Sequence, residues 1–196
     1  MQDGQLRSAI YNFMLDRFEF YLQELRKVYP QVARAIRRAR TTADFQEVSG
    51  KLIGYGTIVG FAEELNRQIG SQEVLAVAGL LKRASNIQRQ AREKGVESAD
   101  TEIEALLVDA AEQKLAQQVT QVDEKIQQSY RQRKYGDVIA AIAGLQPPLN
   151  AFFDHVMVMV DDPEIRANRL ALLARTEATV RWAADFSELA SIVETA

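Results

Sequence analysis

The chain has 196 residues, of which 47% are hydrophobic, so it is long and apolar enough to form a domain with a sizeable core. It contains no cysteine, which excludes disulfides and thiolate metal sites and favours a reducing, cytoplasmic location. Its net charge of −3 gives no general preference for nucleic acid, and no apolar run approaches the roughly 20 residues that span a bilayer. We therefore expect a folded cytoplasmic protein with no membrane partner.

The first predicted helix carries an apolar stripe from Leu6 to Leu25 that repeats every three or four residues and is interrupted only by Arg17. Pro30 marks its end. Thr42 is then a suitable N-cap for a second helix. The glycines of Gly54-Tyr55-Gly56 predict a bend or break, because each glycine costs about 1 kcal/mol in a helix interior.

The middle of the chain predicts two longer helices. Ser71 is a suitable N-cap for the first of them, and Gly95 is placed as its C-cap. The second begins with a match to a capping box, Thr101 to Glu104, and apolar residues then recur every three or four positions as far as Arg133. We therefore predict one long helix over about residues 101–133.

The last third of the chain predicts two further helices. Tyr135-Gly136 turns the chain into a short helix that ends at Gln146-Pro147-Pro148. Asp162 and Pro163 then open the last long helix, with the aspartate as N-cap and the proline as its first residue. Because nearly every segment has helical rather than alternating periodicity, we predict an all-α fold, a helical bundle.

Charge is segregated along the chain, although the total is acidic. Residues 26–40 contain six basic side chains and no acidic one, whereas residues 97–112 contain six acidic side chains and no basic one. A basic surface that is separate from an acidic segment can bind phosphate despite a negative total. Taken alone, each basic run is better explained as a solvated helix face.

The sequence gives little support for catalysis by this chain. His155 is the only histidine, which leaves no paired-histidine metal site. The adjacent carboxylates Asp161-Asp162 and Glu63-Glu64 are explained as a helix cap and an exposed helix face. No glycine-rich loop follows a predicted strand, so neither the Rossmann nor the P-loop nucleotide-binding pattern is present.

A more specific pattern lies between Tyr135 and Ser187. Its segments are Tyr135-Gly136-Asp137-Val138, Phe152-Phe153-Asp154-His155-Val156-Met157-Val158-Met159, Arg166-Ala167-Asn168-Arg169-Leu170-Ala171-Leu172-Leu173 and Ala184-Asp185-Phe186-Ser187. Together they closely resemble the end of bacterial glycyl-tRNA synthetase β subunits. Lys82-Arg83-Ala84-Ser85-Asn86-Ile87 and residues 11–17 are also similar to helices of that family, and the likeness is weakest over residues 32–69.

The resemblance implies an all-α anticodon-binding domain at the C-terminus of a longer β subunit. Residues 1–94 would be the N-terminal helical part of the anticodon-binding region. Residues 95–196 would add the long helix and a C-terminal helical subdomain, within one compact domain. In this family an α/β complex joins glycine to its tRNA using ATP, and the α subunit holds the glycine and ATP site. The resemblance thus implies no cofactor and no catalytic residue here, and the partners glycine tRNA and the α subunit rather than DNA.

The RNA-binding candidates follow from what an anticodon loop offers, which is phosphates, bases that can stack, and, for glycine, two cytosines. The cations and amides predicted to contact RNA are Lys82, Arg83, Asn86, Arg166, Asn168 and Arg169, with Tyr130 and Tyr135 as stacking residues. For Asn168 a buried amide that bonds a neighbouring helix end is an equally good interpretation. For Arg169 the alternative is an ion pair with Glu164 or Asp162. Arg34, Arg37 and Arg38 could serve the RNA backbone. Phe152, Phe153, Met157 and Met159 are predicted to be core residues rather than a stacking platform for bases.

Three rival functions stay open at this point. A helical adaptor could dock a partner protein on the predicted 101–133 helix, and its binding would be indifferent to RNA. A free-standing helical enzyme is disfavoured by the missing chemistry. The third, a DALR-type anticodon-binding domain of an arginyl-tRNA synthetase, has the same helical plan, but the Phe152-Phe153-Asp154 run favours the glycyl family.

Overall fold

The computed structural model describes residues 2–40 and 55–195, and side chains only for 6 and 9–40 and for 56–192. The predicted Thr42 cap and Gly54 lie outside the described residues. The described ranges contain eight α-helices and no strand, which confirms the all-α prediction. These helices are α1 (Gln2–Phe20), α2 (Pro30–Ala39), α3 (Tyr55–Gln68), α4 (Gln72–Glu93), α5 (Ala110–Arg131), α6 (Tyr135–Ala143), α7 (Gln146–His155) and α8 (Pro163–Arg181). A π-helical turn, Tyr21–Leu25, continues α1, and 3₁₀ segments span Glu104–Leu106 and Phe186–Thr195.

Three predicted helix ends are confirmed by their hydrogen bonds. The Ser71 hydroxyl accepts from the amide of Val74, which begins α4. That helix ends in a Schellman motif, in which Gly95 has a φ of 69° and the amide of Val96 donates to the carbonyl of Ala91. The Asp162 carboxylate accepts from two amides of the first turn of α8.

Two predicted boundaries are wrong. The long helix α5 begins at Ala110 rather than at 101, and its capping box is formed by Asp109 and Glu112. Residues 99–103 cannot start the helix, because the amide of Ala99 donates to the carbonyl of Ala167 and residue 103 bonds α8 as well. The two prolines after Gln146 occupy the first turn of α7 instead of ending the preceding helix, since proline needs no amide partner there.

Buried apolar side chains from Leu22 to Ala190 form one cluster that joins both predicted halves of the chain. α8 lies between α4 and α5, and the C-terminal 3₁₀ segment packs on α4 and α2. The amide of Asp185 donates to the carbonyl of Ala35, which ties that segment to α2. The division at residues 94 and 95 stays a prediction. None of the helices in the described ranges combines the length and apolar content that a bilayer crossing requires.

Candidate nucleic-acid interface

Three predicted RNA-binding residues, Lys82, Arg83 and Asn86, lie on the side of α4 that faces away from the core. Arg83 and Asn86 are exposed and Lys82 is half-exposed. The opposite side of α4, between Val74 and Ala91, is buried in the hydrophobic core and fixes the orientation of the helix. Because side chains three and four residues apart share a helix face, the structure brings these three residues onto one surface, here called the α4 outer face.

Arg83 is held by an aromatic ring of another helix. Its guanidinium carbon lies 4.3 Å from the centroid of the Phe153 ring on α7. A guanidinium over a ring face gains a cation–π interaction of about 0.5–1 kcal/mol at an exposed site and keeps its N–H groups available at its edges. The contact therefore orients Arg83 while leaving it exposed. The sequence pattern predicted Phe153 only as a core residue and missed this supporting role.

The core prediction for the Phe152–Met159 run is half right. Phe152 and Phe153 are buried and their rings meet edge to face, as the core interpretation requires. Met157 and Met159 are exposed, at 71% and 38%, which contradicts it. The reason is that α7 ends at His155, so the helical spacing no longer determines which way the following side chains point.

The second predicted set, on α8, binds the protein's own backbone. Asn168 is only 1% exposed, and its side chain accepts from the amide of Ile103 (2.6 Å) and donates to the carbonyl of the same residue (3.1 Å). Arg166 donates to the carbonyls of Val160 (2.7 Å) and Asp161 (3.2 Å). Asn168 is thus the buried amide of the alternative interpretation, and we remove it from the RNA-contacting set.

Arg169 is also buried, and its ionic partner is neither of the expected ones. Its Nε donates to the carboxylate of Glu112 on α5, and its Nη1 donates to the carbonyl of Met157 at 2.8 Å. Glu112 is fully buried and also accepts from the amide of Asp109. A buried carboxylate needs such a partner, because removing one member leaves an uncompensated charge at a cost of about 3–5 kcal/mol. Arg169 therefore joins α5, α8 and the loop after α7, and we remove it from the surface set.

The two predicted stacking tyrosines sit in an aromatic cluster between α3, α5, α6 and the end of α8. Tyr130 is 3% exposed, and its ring centroid lies 4.9 Å from Trp182, 5.6 Å from Phe61 and 5.7 Å from Tyr135. A ring enclosed in this way has no face for a base, so Tyr130 is corrected to a core residue. Tyr135 is half-exposed and stays a candidate. A Cβ atom on Gly60 would lie 2.6 Å from the Tyr135 ring, so glycine is needed for this close packing.

The basic run in residues 26–40 is largely neutralised within the fold. Arg37 pairs with Asp16 (2.5 Å) and Glu19 (3.4 Å), and Arg38 pairs with Glu188 and with Asp185 (3.4 Å). Arg40 is buried, and desolvation lowers the pKa of its guanidinium. This segment is therefore a weaker candidate for RNA phosphates than the run of basic residues in sequence indicates.

Comparison with known proteins identifies the domain. Residues 80–186 match the DALR anticodon binding domain family, a range that includes the α4 outer face, α5, α6, α7 and α8. The chain belongs to the DALR anticodon-binding domain family. The predicted all-α anticodon-binding architecture is thereby confirmed, and the α4 outer face is an exposed basic surface on such a domain.

Among curated proteins, the chain is similar to beta subunits of glycine–tRNA ligases. The chain is 34% identical over 190 residues to the glycine–tRNA ligase beta subunit of Marinobacter nauticus, covering 96% of this chain and 25% of that protein. The corresponding protein of Tolumonas auensis is 36% identical over 196 residues, covering 96% of this chain and 26% of its own length. That of Methylobacillus flagellatus is 40% identical over 119 residues, covering 61% and 16%. The resemblance stated from the sequence is confirmed, and the chain spans about a quarter of the length of the curated relatives it matches.

Proposed function

We propose that this DALR domain binds the anticodon loop of glycine tRNA as a region of the β subunit of a glycine–tRNA ligase. The observation that carries the proposal is its likeness, over 96% of the chain, to relatives named as that subunit, together with its membership of an anticodon-binding family. In the complete α/β enzyme the α subunit would use ATP to activate glycine. This chain would contribute tRNA recognition in the cytoplasm, without a cofactor of its own.

The α4 outer face is the surface we propose for RNA. Lys82 and Arg83 would neutralise loop phosphates, which supply most of the affinity of protein–RNA complexes. The guanidinium of Arg83, already oriented by Phe153 at 4.3 Å, can also stack on an unpaired base or donate to a cytosine acceptor. The exposed amide of Asn86 offers both a donor and an acceptor to a base edge. Tyr135 and Arg166, both half-exposed, are secondary candidates.

The α8 residues would act indirectly. Arg169 and Arg166 hold the loop between α7 and α8 through its carbonyls, and that loop follows directly after the helix that carries Phe153. Their contribution to RNA binding would thus be to position the ring that supports Arg83. A protein-docking adaptor has no comparable support, because the named relatives are synthetase subunits.

The proposal is tested by replacing Arg83 with alanine and measuring the binding of glycine tRNA at several salt concentrations. The matched control is Arg92→Ala, which removes the same charge from the same helix at an exposed position nine residues later, about half a turn around the axis at ~100° per residue. A phosphate contact predicts that Arg83→Ala lowers the slope of log affinity against log salt by roughly one unit. A base contact predicts a loss of about 1–3 kcal/mol and a smaller difference between glycine tRNA and an anticodon variant.

Equal effects of Arg83→Ala and Arg92→Ala would refute the α4 outer face as the anticodon surface. Equal affinity of the wild-type chain for glycine tRNA and for the anticodon variant would refute the proposed function itself. In a parallel assay, we expect the chain alone to show no glycine-dependent exchange of pyrophosphate into ATP.

A further inference from the structure

α1 exposes an apolar face that nothing in the described structure covers. Five large side chains of this helix are between 47% and 60% exposed: Leu6, Ile10, Phe13, Met14 and Phe20. At about 100° per residue they fall within a sector of roughly 120° around the helix axis. The exposed Arg17 lies within the same sector, with its guanidinium carbon 5.3 Å from the centroid of the Phe13 ring. We call this sector the outer face of α1.

The side of α1 that does contact the rest of the chain is the opposite one. Leu15 is buried there, and the hydroxyl of Tyr11 donates to the carbonyl of Arg40 at 2.9 Å. Asp16 and Glu19 pair with Arg37 of α2 from the same flank. The outer face is therefore a second apolar surface of α1 and not an outward-turned part of the core.

A helix that is apolar on two opposite sides is expected to be buried on both. Contiguous exposed apolar patches of more than a few hundred Å² on a folded chain mark interaction surfaces. A separate groove of about 570 Å³ is lined by Phe18 of α1, Tyr21 of the π-helical turn, and Val59 and Gly60 of α3. None of the five outer-face side chains lines it, so the outer face itself is the surface that calls for an occupant.

We propose that the preceding part of the same polypeptide, in a full-length β subunit, covers the outer face of α1. This proposal rests on the part of the proposed function that makes the chain a region of a β subunit, and it does not depend on RNA contact. The curated relatives are about four times as long as the matched region, which is C-terminal in them, so most of their length precedes the equivalent of α1. A tethered neighbour has an effective concentration in the millimolar range, which favours it over a free partner for the same apolar face.

The test compares hydrogen exchange of α1 in two proteins, the isolated chain and the β subunit encoded by the complete reading frame that contains it. In the isolated chain the amides of residues 9–20 should exchange quickly, because few contacts oppose local opening. In the complete subunit we expect at least about tenfold slower exchange over the same residues. Equal exchange in the two proteins, or a reading frame that encodes nothing before this segment, would overturn the proposal.

A pair of double variants locates the contact. Ile10→Asp with Phe13→Asp places charges on the outer face and should restore fast exchange of α1 in the complete subunit. The matched control is Ile103→Asp with Val108→Asp, because these side chains are exposed to a similar extent, 53% and 61% against 53% and 59%, on a different part of the surface. The control should leave α1 protected. Loss of protection in both double variants would show general destabilisation and would contradict a specific contact.

Two further measurements distinguish this proposal from its alternatives. Sedimentation of the isolated chain detects a second copy as the occupant, and a dimer that Ile10→Asp with Phe13→Asp dissociates would overturn the tethered arrangement. Glycine tRNA binding by the same double variant should stay unchanged in the isolated chain. If α1 is protected as expected while Arg83→Ala has no effect on RNA, the RNA surface is refuted and this proposal stands.

Discussion

Two stretches of this domain have similar sequences and opposite environments. Lys82, Arg83 and Asn86 on α4, and Arg166, Asn168 and Arg169 on α8, each combine two cations with one asparagine within one or two helical turns. The α4 set faces solvent, whereas the α8 set donates to carbonyls and to a buried carboxylate. A basic, amide-containing helix face is therefore equally compatible with recognition of a ligand and with fastening of the fold.

The difference arises from the position of each helix. α8 is packed between α4 and α5, so polar side chains at its start must find partners within the protein. Those partners are the backbone of Ile103 and the carbonyl of Met157 in the loop after α7. α4 has one side in the core and the other in water, and its polar groups can stay solvated.

The strongest test of this contrast between α4 and α8 is to remove the buried cation of Arg169. Arg169→Ala should destabilise the domain by about 3–5 kcal/mol, because Glu112 would be left buried without its ionic partner. Urea unfolding followed by far-UV circular dichroism measures this loss. The control Arg89→Ala removes an exposed ion pair with Glu93 and should cost at most about 1 kcal/mol. Similar costs for the two variants would contradict the contrast between the regions.

The two asparagines give the second test. Asn168→Ala should cost about 1–3 kcal/mol, because the amide of Ile103 loses its acceptor, whereas the Ile103 carbonyl keeps the amide of Leu106 as a donor. Asn86→Ala changes an exposed residue and should alter stability by no more than about 0.5 kcal/mol. Thermal melts of the two variants should therefore differ clearly. An unchanged melting temperature for Asn168→Ala would show that water replaces the lost bonds.

A third test asks whether Phe153 acts through Arg83. Phe153→Leu keeps an apolar side chain but removes the ring, and should weaken glycine tRNA binding by about 0.5–1 kcal/mol through loss of the cation–π contact. In a double-mutant cycle with Arg83→Ala the two losses of binding free energy should not add. Once Arg83 is replaced, there is no guanidinium for the Phe153 ring to orient, so Phe153→Leu should have little further effect. Additive losses would assign Phe153 a role independent of Arg83.

The smallest expected effect concerns the junction of the two helices, where Gln88 of α4 donates to Glu177 of α8 at 2.8 Å. Burial raises the pKa of the Glu177 carboxyl, an effect that the nearby Arg181 partly opposes. The folded state then holds the proton more tightly than the unfolded state. The resulting stabilisation is complete below the ordinary glutamate pKa and is lost as pH rises through the raised one.

Glu177→Gln keeps the oxygen acceptor for Gln88 and removes this titration. The free energy of unfolding of the wild type should therefore fall relative to that of the variant as pH rises above the ordinary glutamate range. Urea unfolding at a series of pH values gives that difference. A difference that is constant with pH, or that changes in the opposite direction, would contradict the raised pKa.

Local signals in the sequence predicted helix ends well and tertiary contacts poorly. Ser71, Gly95 and Asp162 act within one turn of their own positions, and all three were predicted correctly. The start of α5 was not, because the bonds that hold residues 99–103 come from α8, more than 60 residues away. The ion-pair partners of Arg38 could not be predicted for the same reason, since Asp185 and Glu188 lie about 150 positions later in the sequence.

The exposed methionines after α7 give the domain a built-in chemical reporter. The carbonyl of Met157 accepts from Arg169, whereas the residue as a whole is 71% exposed, so its side chain is accessible to peroxide. Conversion to the sulfoxide adds one oxygen, is visible by mass spectrometry and can be reversed by reductases. Met159 provides a second, less exposed site two residues later. Any molecule that covers this loop would slow oxidation at both sulfurs, so occupancy of the surface beside Phe153 can be followed without a label.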